Sequence, residues 1–142
     1  MASGRVEVTR LKAVHDIGRV LNPPAAEGQV EGAIVQGLGF ALWEDLTKKE
    51  GKVVSPYLAD YHQPTSLDIP QMKVLFLERA LGPGPYGAKG IGATSLNPVA
   101  TAIANAIRDA AETDIADLPL GPEKCWREIR TKGADTNESG NL

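Results

Sequence analysis

An α+β fold, in which a mixed β-sheet packs against two main helices, is predicted by three features of the 142-residue sequence. Two stretches far apart in the chain read as strands, Arg5 to Val14 and Met72 to Glu78. Two others read as helices: Ala25 to Leu46, and an alanine-rich run that opens at Asn97 and Pro98. Between the second strand and the second helix lies Gly82 to Pro98, which holds five glycines and a single lysine.

The first strand alternates Val6 and Val8 with Glu7 and Thr9, then shifts phase to Leu11 and Ala13, the signature of a bulge near Thr9 and Arg10. Asp16-Ile17-Gly18-Arg19 is turn chemistry, and Asn22-Pro23-Pro24 holds the backbone out of the helical region until the next element starts near Pro24. In the first helix Val30, Ile34, Leu38 and Leu42 recur at i, i+4 and form a stripe for the core. Gln29 and Gln36, seven residues apart, share another flank with Gly32 and Gly39. Gly28, Gly32, Gly37 and Gly39 each cost a helix about 1 kcal/mol relative to alanine. Close helix packing explains such a loss, and so does a polar ligand read by the two carboxamides.

Lys52 to Ser55 reads as a short strand and Pro56 to Pro70 as an irregular loop carrying Tyr57, Tyr61 and His62. His62 and His15 have no ligand partner at metal-binding spacing and read as hydrogen-bonding residues. Met72 to Glu78 has the composition of a buried strand. In the second helix Asn97 is the N-cap and Pro98 the first helical residue, with Val99, Ile103, Ala106, Ile107 and Ala110 on one face. Asp114 to Pro119 is a turn, Gly121 to Ile129 a final short helix, and the polar stretch 131–142 a disordered tail after a domain spanning 1–130.

Apolar residues at 42% and charged residues at 23% are ordinary for a soluble globular protein. A net charge of −3 without a basic run argues against nucleic acid as a partner. No apolar run approaches the roughly 18 residues needed to span a bilayer, and the N-terminus lacks the apolar core of a signal peptide, so no membrane association is expected. Cys125 stands alone, which excludes a disulfide framework, a four-thiolate zinc site and an iron–sulfur cluster held by this chain alone; a cytoplasmic location fits.

The glycine loop is the candidate site. The N–H groups of Gly87, Gly90 and Gly92 can approach phosphate oxygens closely, and the unpaired amides of the following helix add positive potential. A long surface turn has the same composition. Two phosphate motifs fail here: Lys89 lies between Ala88 and Gly90, which is not a Walker A arrangement, and Pro83 and Pro85 disrupt the G-x-G-x-x-G spacing of Gly82, Gly84 and Gly87.

Three blocks carry a family resemblance: Leu21-Asn22-Pro23, the run from Glu27 to Leu42 (EGQVEGAIVQGLGFAL), and Gly87-Ala88-Lys89-Gly90-Ile91-Gly92. In order and spacing they resemble the C-terminal part of the molybdopterin-binding subunit of the molybdenum hydroxylases, the xanthine dehydrogenase and aldehyde oxidase family, over about Gly4 to Ile129. The resemblance implies that family's α+β C-terminal molybdopterin-binding domain. It implies that Gln29, Gly87, Ala88, Lys89, Gly90, Ile91 and Gly92 bind the molybdenum-pyranopterin cofactor, with the metal held by the cofactor's own sulfurs and not by this chain. The upstream part of the subunit has no counterpart here, so a larger molybdopterin-binding subunit or a second copy of the chain is the implied partner.

The family's catalytic glutamate follows the last glycine of the loop. Here that position is Ala93, followed by Thr94 where proline is common. Alanine cannot take up a proton, and Glu31, Glu44 and Glu78 stand elsewhere in the chain. The resemblance therefore implies a cofactor-binding domain or small subunit of an oxidoreductase that lacks its base and is inactive alone. The alternatives are a non-catalytic remnant serving as an interaction module, and an independent nucleotide-phosphate binder.

Overall fold

A computed structural model describes residues 3–54, 57–79 and 81–138, with backbone alone for 132–138. In chain order the elements are β1 (Arg10–Asp16), α1 (Pro23–Leu42), β2 (Lys48–Lys49), β3 (Lys52–Val53), β4 (Gln71–Leu77), α2 (Asn97–Ala111) and α3 (Pro122–Glu138). Single turns of 3₁₀-helix occur at Leu58–Asp60, Pro85–Gly87 and Ala93–Ser95. The chain forms two compact units: residues 8–38 with 64–99, and the described parts of 1–7, 39–63 and 100–142.

In the first unit β1 and β4 form a parallel ladder running from Arg10 opposite Gln71 to Asp16 opposite Leu77. β1 is shorter than the sequence pattern suggests: among the described residues the paired register begins at Arg10, just after the Thr9 carbonyl, which accepts the Gln71 N–H at 3.2 Å. No residue of β4 is buried; its side chains alternate between exposed and half-buried, as do those of β1. The expectation of a buried strand at Met72 to Glu78 is thereby corrected. Its composition is that of an interior strand, but β1 is its sole ladder partner among the described residues. The sheet is likewise divided, since β2 and β3 form a separate antiparallel ladder of two residues each.

α1 starts where the Asn-Pro-Pro signal places it. The Asn22 side-chain oxygen accepts the Ala25 N–H at 3.2 Å, and the prolines occupy the first positions, where no amide partner is needed. Val30, Ile34, Leu38 and Leu42 are 0 to 3% exposed, so the i, i+4 stripe is the buried one. The helix stops at Leu42, four residues before the predicted end: Gly39 O accepts from both Trp43 N and Glu44 N, and Asp45 then engages the Thr47 hydroxyl. The α1 glycines have different environments. A Cβ on Gly37 would lie 2.6 Å from Val99 Cβ, whereas Gly28 and Gly32 have nothing within 4 Å.

In the second unit the buried residues include Ile103, Ile107, Leu120 and Cys125. Leu120 N donates to Ala41 O at 2.7 Å, and the Cys125 thiol donates to Leu120 O at 3.4 Å. Burial pushes the Cys125 thiol above its ordinary range. On α2 Val99, Ile103 and Ile107 are buried, but Ala106 and Ala110 are exposed although they share the helical angle. The face is the predicted one, and nothing among the described residues covers it there. α3 continues as helical backbone through Glu138, into the polar stretch 131–142; residues 139–142 lie outside the described residues. Ser55 and Pro56, predicted as a strand end and a loop start, also lie outside them.

Two glycine substitutions on α1 should move stability in opposite directions. Gly37→Ala overpacks against Val99 and should cost about 1–3 kcal/mol. Gly32→Ala, in open space, should gain about 0.5–1 kcal/mol. Urea unfolding of the two variants checks both signs. Cys125 should resist iodoacetamide in the folded chain and react rapidly in urea, as followed by mass spectrometry.

Candidate functional site

The glycine loop folds back on itself and is laced to the turn that follows β1. Gly82 N donates to Gly87 O at 2.6 Å, Gly84 N to Ala88 O at 3.1 Å, and Gly87 N to Gly84 O at 3.0 Å. Across to the turn, Lys89 N donates to Ile17 O at 2.8 Å and Arg19 N to Gly87 O at 3.3 Å, with an antiparallel bridge between Gly18 and Ala88. A Cβ on Gly82 would sit 2.5 Å from Ala88 O, and Gly87 has φ +83°, so these two glycines are demanded by the fold of the loop itself.

The amides divide at Lys89. Those of Gly87, Ala88 and Lys89 are spent on Gly84, Pro85 and Ile17 carbonyls, which removes the Gly87 N–H from the donor set suggested by the sequence. Among the described residues no acceptor takes the amides of Gly90, Ile91 or Gly92, and a Cβ on Gly90 or Gly92 would meet nothing within 4 Å. Three successive open donors thus follow a hydrogen-bonded segment. Just beyond them the Ser95 hydroxyl is buried without a partner among the described residues.

The lysine has a local task. Lys89 Nζ lies 2.9 Å from Asp16 Oδ2, and Asp16 Oδ1 accepts the Gly18 N–H at 3.1 Å. The Lys89 hydrogen bond, followed by that from Gly18, holds the Asp16 carboxyl below its ordinary value of 3.8. On the other side of the turn, Glu78 Oε2 accepts from Val20 N at 3.3 Å and lies 3.8 Å from Arg19 Nε.

An open cleft of about 350 Å³ lies beside this lacing. Its walls come from the turn (Ile17, Arg19, Leu21, Asn22), the first turns of α1 (Ala25, Ala26, Gln29) and the loop (Ala88, Lys89, Ile91). Gln29, Ala88, Lys89 and Ile91, predicted from distant parts of the sequence, therefore share one concavity. Gly87, Gly90 and Gly92 are not among its walls, nor is Gln36. Sequence reasoning missed Arg19 and Asn22. Asn22 was visible as part of the Leu-Asn-Pro block, whereas Arg19 had no signal beyond its place in a turn. A second cleft of about 370 Å³, walled by Ala100, Ala104 and Arg108 of α2 and by residues of 114–118, contains none of the predicted residues.

The donor set suits an anionic, heteroatom-rich group. On the cleft walls it comprises a carboxamide that both donates and accepts and an exposed guanidinium, beside apolar side chains, and the open amides of Gly90 to Gly92 follow along the loop. Residues 1–70 match the model of a molybdopterin cofactor-binding domain. The chain is 40% identical over 131 residues to the xanthine dehydrogenase molybdenum-binding subunit of Escherichia coli O157:H7, a match that covers 91% of this chain and 17% of the relative. Among solved structures it is similar to quinoline 2-oxidoreductase from Pseudomonas putida 86 (TM-score 0.77, 34% identity, 87% of this chain and 16% of the other). It is also similar to the aldehyde oxidoreductase from Desulfovibrio gigas (TM-score 0.82, 30% identity, 91% and 14%).

The fold is that of a molybdopterin cofactor-binding domain of molybdenum-containing oxidoreductases. The chain belongs to the molybdenum hydroxylase family, the group of xanthine dehydrogenase and aldehyde oxidase. It spans about one sixth of the length of the relatives it matches. Among the described residues no helix is long and apolar enough to cross a membrane.

The Asp16–Lys89 pair gives the lacing a pH dependence of definite sign. A depressed carboxyl contributes above its unfolded-state value and loses that contribution as pH falls through the lower folded-state value. Amide exchange at Lys89 and its loop neighbours should therefore accelerate below pH 3.8 relative to the rest of the first unit. Asp16→Asn should produce the same local acceleration at neutral pH with little change in the global unfolding midpoint, as read by hydrogen exchange with mass spectrometry.

Proposed function

We infer that this chain is the cofactor-contacting part of a molybdenum hydroxylase, a domain or small subunit that works with further polypeptide and lacks the general base of its family. The single observation that carries the reading is the shared cleft of Gln29 with Ala88, Lys89 and Ile91. In this role Gln29 hydrogen-bonds the cofactor from the α1 side. The amides of Gly90, Ile91 and Gly92 donate to its anionic portion, and Lys89, tied to Asp16, fixes the loop and lends positive charge. Gly87 and Ala88 act through the backbone that sets the loop's course. When bound, the cofactor supplies the metal centre at which an aldehyde or N-heterocycle is hydroxylated. The open, incompletely walled cleft supports the need for a larger molybdopterin-binding polypeptide to close it.

Ala93 opens the 3₁₀ turn after the loop and is exposed. Two of the carboxylates considered from sequence are engaged elsewhere: Glu44 accepts from the Tyr61 hydroxyl at 2.6 Å, and Glu78 from Val20 N at 3.3 Å. General-base catalysis is worth about 10² to 10⁴-fold, so a site built with this chain should turn over slowly by a factor of that order. Ala93 also favours a second reading, in which the fold survives as a non-catalytic interaction module.

The test is a chimaera in which this chain replaces its matching 131-residue region in the Escherichia coli xanthine dehydrogenase molybdenum-binding subunit. It should retain molybdenum by elemental analysis and oxidise substrate about 10² to 10⁴ times more slowly than the parent. Ala93→Glu should recover a large part of that loss. Absence of molybdenum contradicts the cofactor reading; retained molybdenum with no recovery in Ala93→Glu favours the interaction module.

A further inference from the structure

Two usual anion donors on the walls of the cofactor cleft are already spent. At the start of α1, Pro23 and Pro24 carry no N–H, Ala25 N donates to the Asn22 side chain at 3.2 Å, and Ala26 N donates to Asn22 O at 3.0 Å. On the loop, the Lys89 amide goes to Ile17 O and the Lys89 ammonium to Asp16 at 2.9 Å. Among the described residues, Arg19 is then the one cation of the cleft walls without a close carboxylate.

The main chain at Arg19 is fixed while its side chain is not. Arg19 N donates to Gly87 O at 3.3 Å, and the next amide, Val20 N, donates to Glu78 Oε2 at 3.3 Å. The Arg19 side chain is 65% exposed, and its Nε lies 3.8 Å from the same Glu78 oxygen, beyond hydrogen-bonding distance. An exposed ion pair of that length holds little free energy. Glu78 is thus anchored by backbone, and the guanidinium is free to exchange it for a ligand.

We propose that Arg19 is the oxyanion-recognising residue of this cleft: its guanidinium leaves Glu78 and takes a phosphate-type group through two parallel N–H donors. The planar fork of arginine matches two oxygens of such a group and is weakly hydrated, so the exchange costs little desolvation. The proposal rests on the functional reading above, in which the group is the phosphate of molybdopterin. A free nucleotide offers the same chemistry, and the test separates the two sources.

The isolated chain is titrated with inorganic phosphate at constant ionic strength and followed by the Arg19 Nε–H resonance, which a merely structural arginine would not shift. Phosphate should move that resonance. Arg19→Ala should weaken phosphate binding about tenfold or more, and Arg19→Lys, which keeps the charge without the fork, should fall between. Glu78→Gln removes the competing charge, keeps an acceptor for Val20 N, and should tighten binding about two- to fivefold. An Arg19→Ala chain that binds phosphate as tightly as the unsubstituted one overturns the proposal, as does an unmoved Nε–H resonance or an unchanged affinity in Glu78→Gln. If Arg19→Ala does not fold, the resonance and Glu78→Gln decide.

Molybdenum content of the chimaera, measured after dialysis, assigns the source. Loss of molybdenum in Arg19→Ala supports the phosphate of the cofactor as the ligand. Arg19-dependent phosphate binding in a chain whose chimaera holds no molybdenum supports the oxyanion site and refutes the cofactor reading. Molybdenum held equally with and without Arg19→Ala leaves the cofactor reading standing and refutes the part given to Arg19 in it. A nucleoside 5′-monophosphate bound far more tightly than phosphate, with molybdenum content indifferent to Arg19, gives the site to a free nucleotide and overturns the link to the cofactor.

Discussion

The backbone pairing between the turn after β1 and the glycine loop is the constraint on which the site depends. Two main-chain hydrogen bonds, Lys89 N to Ile17 O and Arg19 N to Gly87 O, together form the Gly18–Ala88 bridge and join segments about seventy residues apart in sequence. Main-chain hydrogen bonds fix direction as well as distance. Once residues 87–89 are consumed in this way, Gly90 to Gly92 emerge as open donors, and the concavity between the loop and α1 has one fixed wall. The Asp16–Lys89 ion pair adds a side-chain clasp to the same junction. Because it is partly exposed, its weight lies in local order more than in overall stability.

That junction explains why loop glycines of identical sequence appearance have different tasks. Gly82 and Gly87 are occupied by the loop's own turns, where a Cβ would strike Ala88 O or the Leu81 side chain. Gly90 and Gly92 face open space, so the absence of a side chain there leaves backbone available to a ligand. The same separation holds on α1, where Gly37 is filled by Val99 while Gly28 and Gly32 meet nothing. Close packing thus accounts for one of these three α1 glycines and leaves the other two on an open surface.

Much of this was legible in the sequence. The i, i+4 stripe of α1 and the Asn-Pro-Pro start gave its buried side and its first turn, because helical periodicity and capping are local. The loop and Gln29 stood out by composition and by family resemblance, and the cleft unites Gln29 with Ala88, Lys89 and Ile91. What sequence could not show was pairing across distance: that Lys89 would be claimed by Asp16, that the Gly87 amide would turn inward, and that Arg19 would stand on the cleft wall. The exposure of β4 was hidden for a related reason. Apolar composition does not record how much of a strand is covered, and Leu75 and Leu77 are 44% and 41% exposed.

The most direct measurement is a crystal structure of the chimaeric subunit loaded with its molybdenum cofactor. The account predicts the cofactor in the cleft beside Asp16–Lys89, with the Gln29 carboxamide and at least one amide of Gly90 to Gly92 within hydrogen-bonding distance of it. A loaded subunit whose cofactor contacts neither Gln29 nor the Gly90–Gly92 backbone would contradict it.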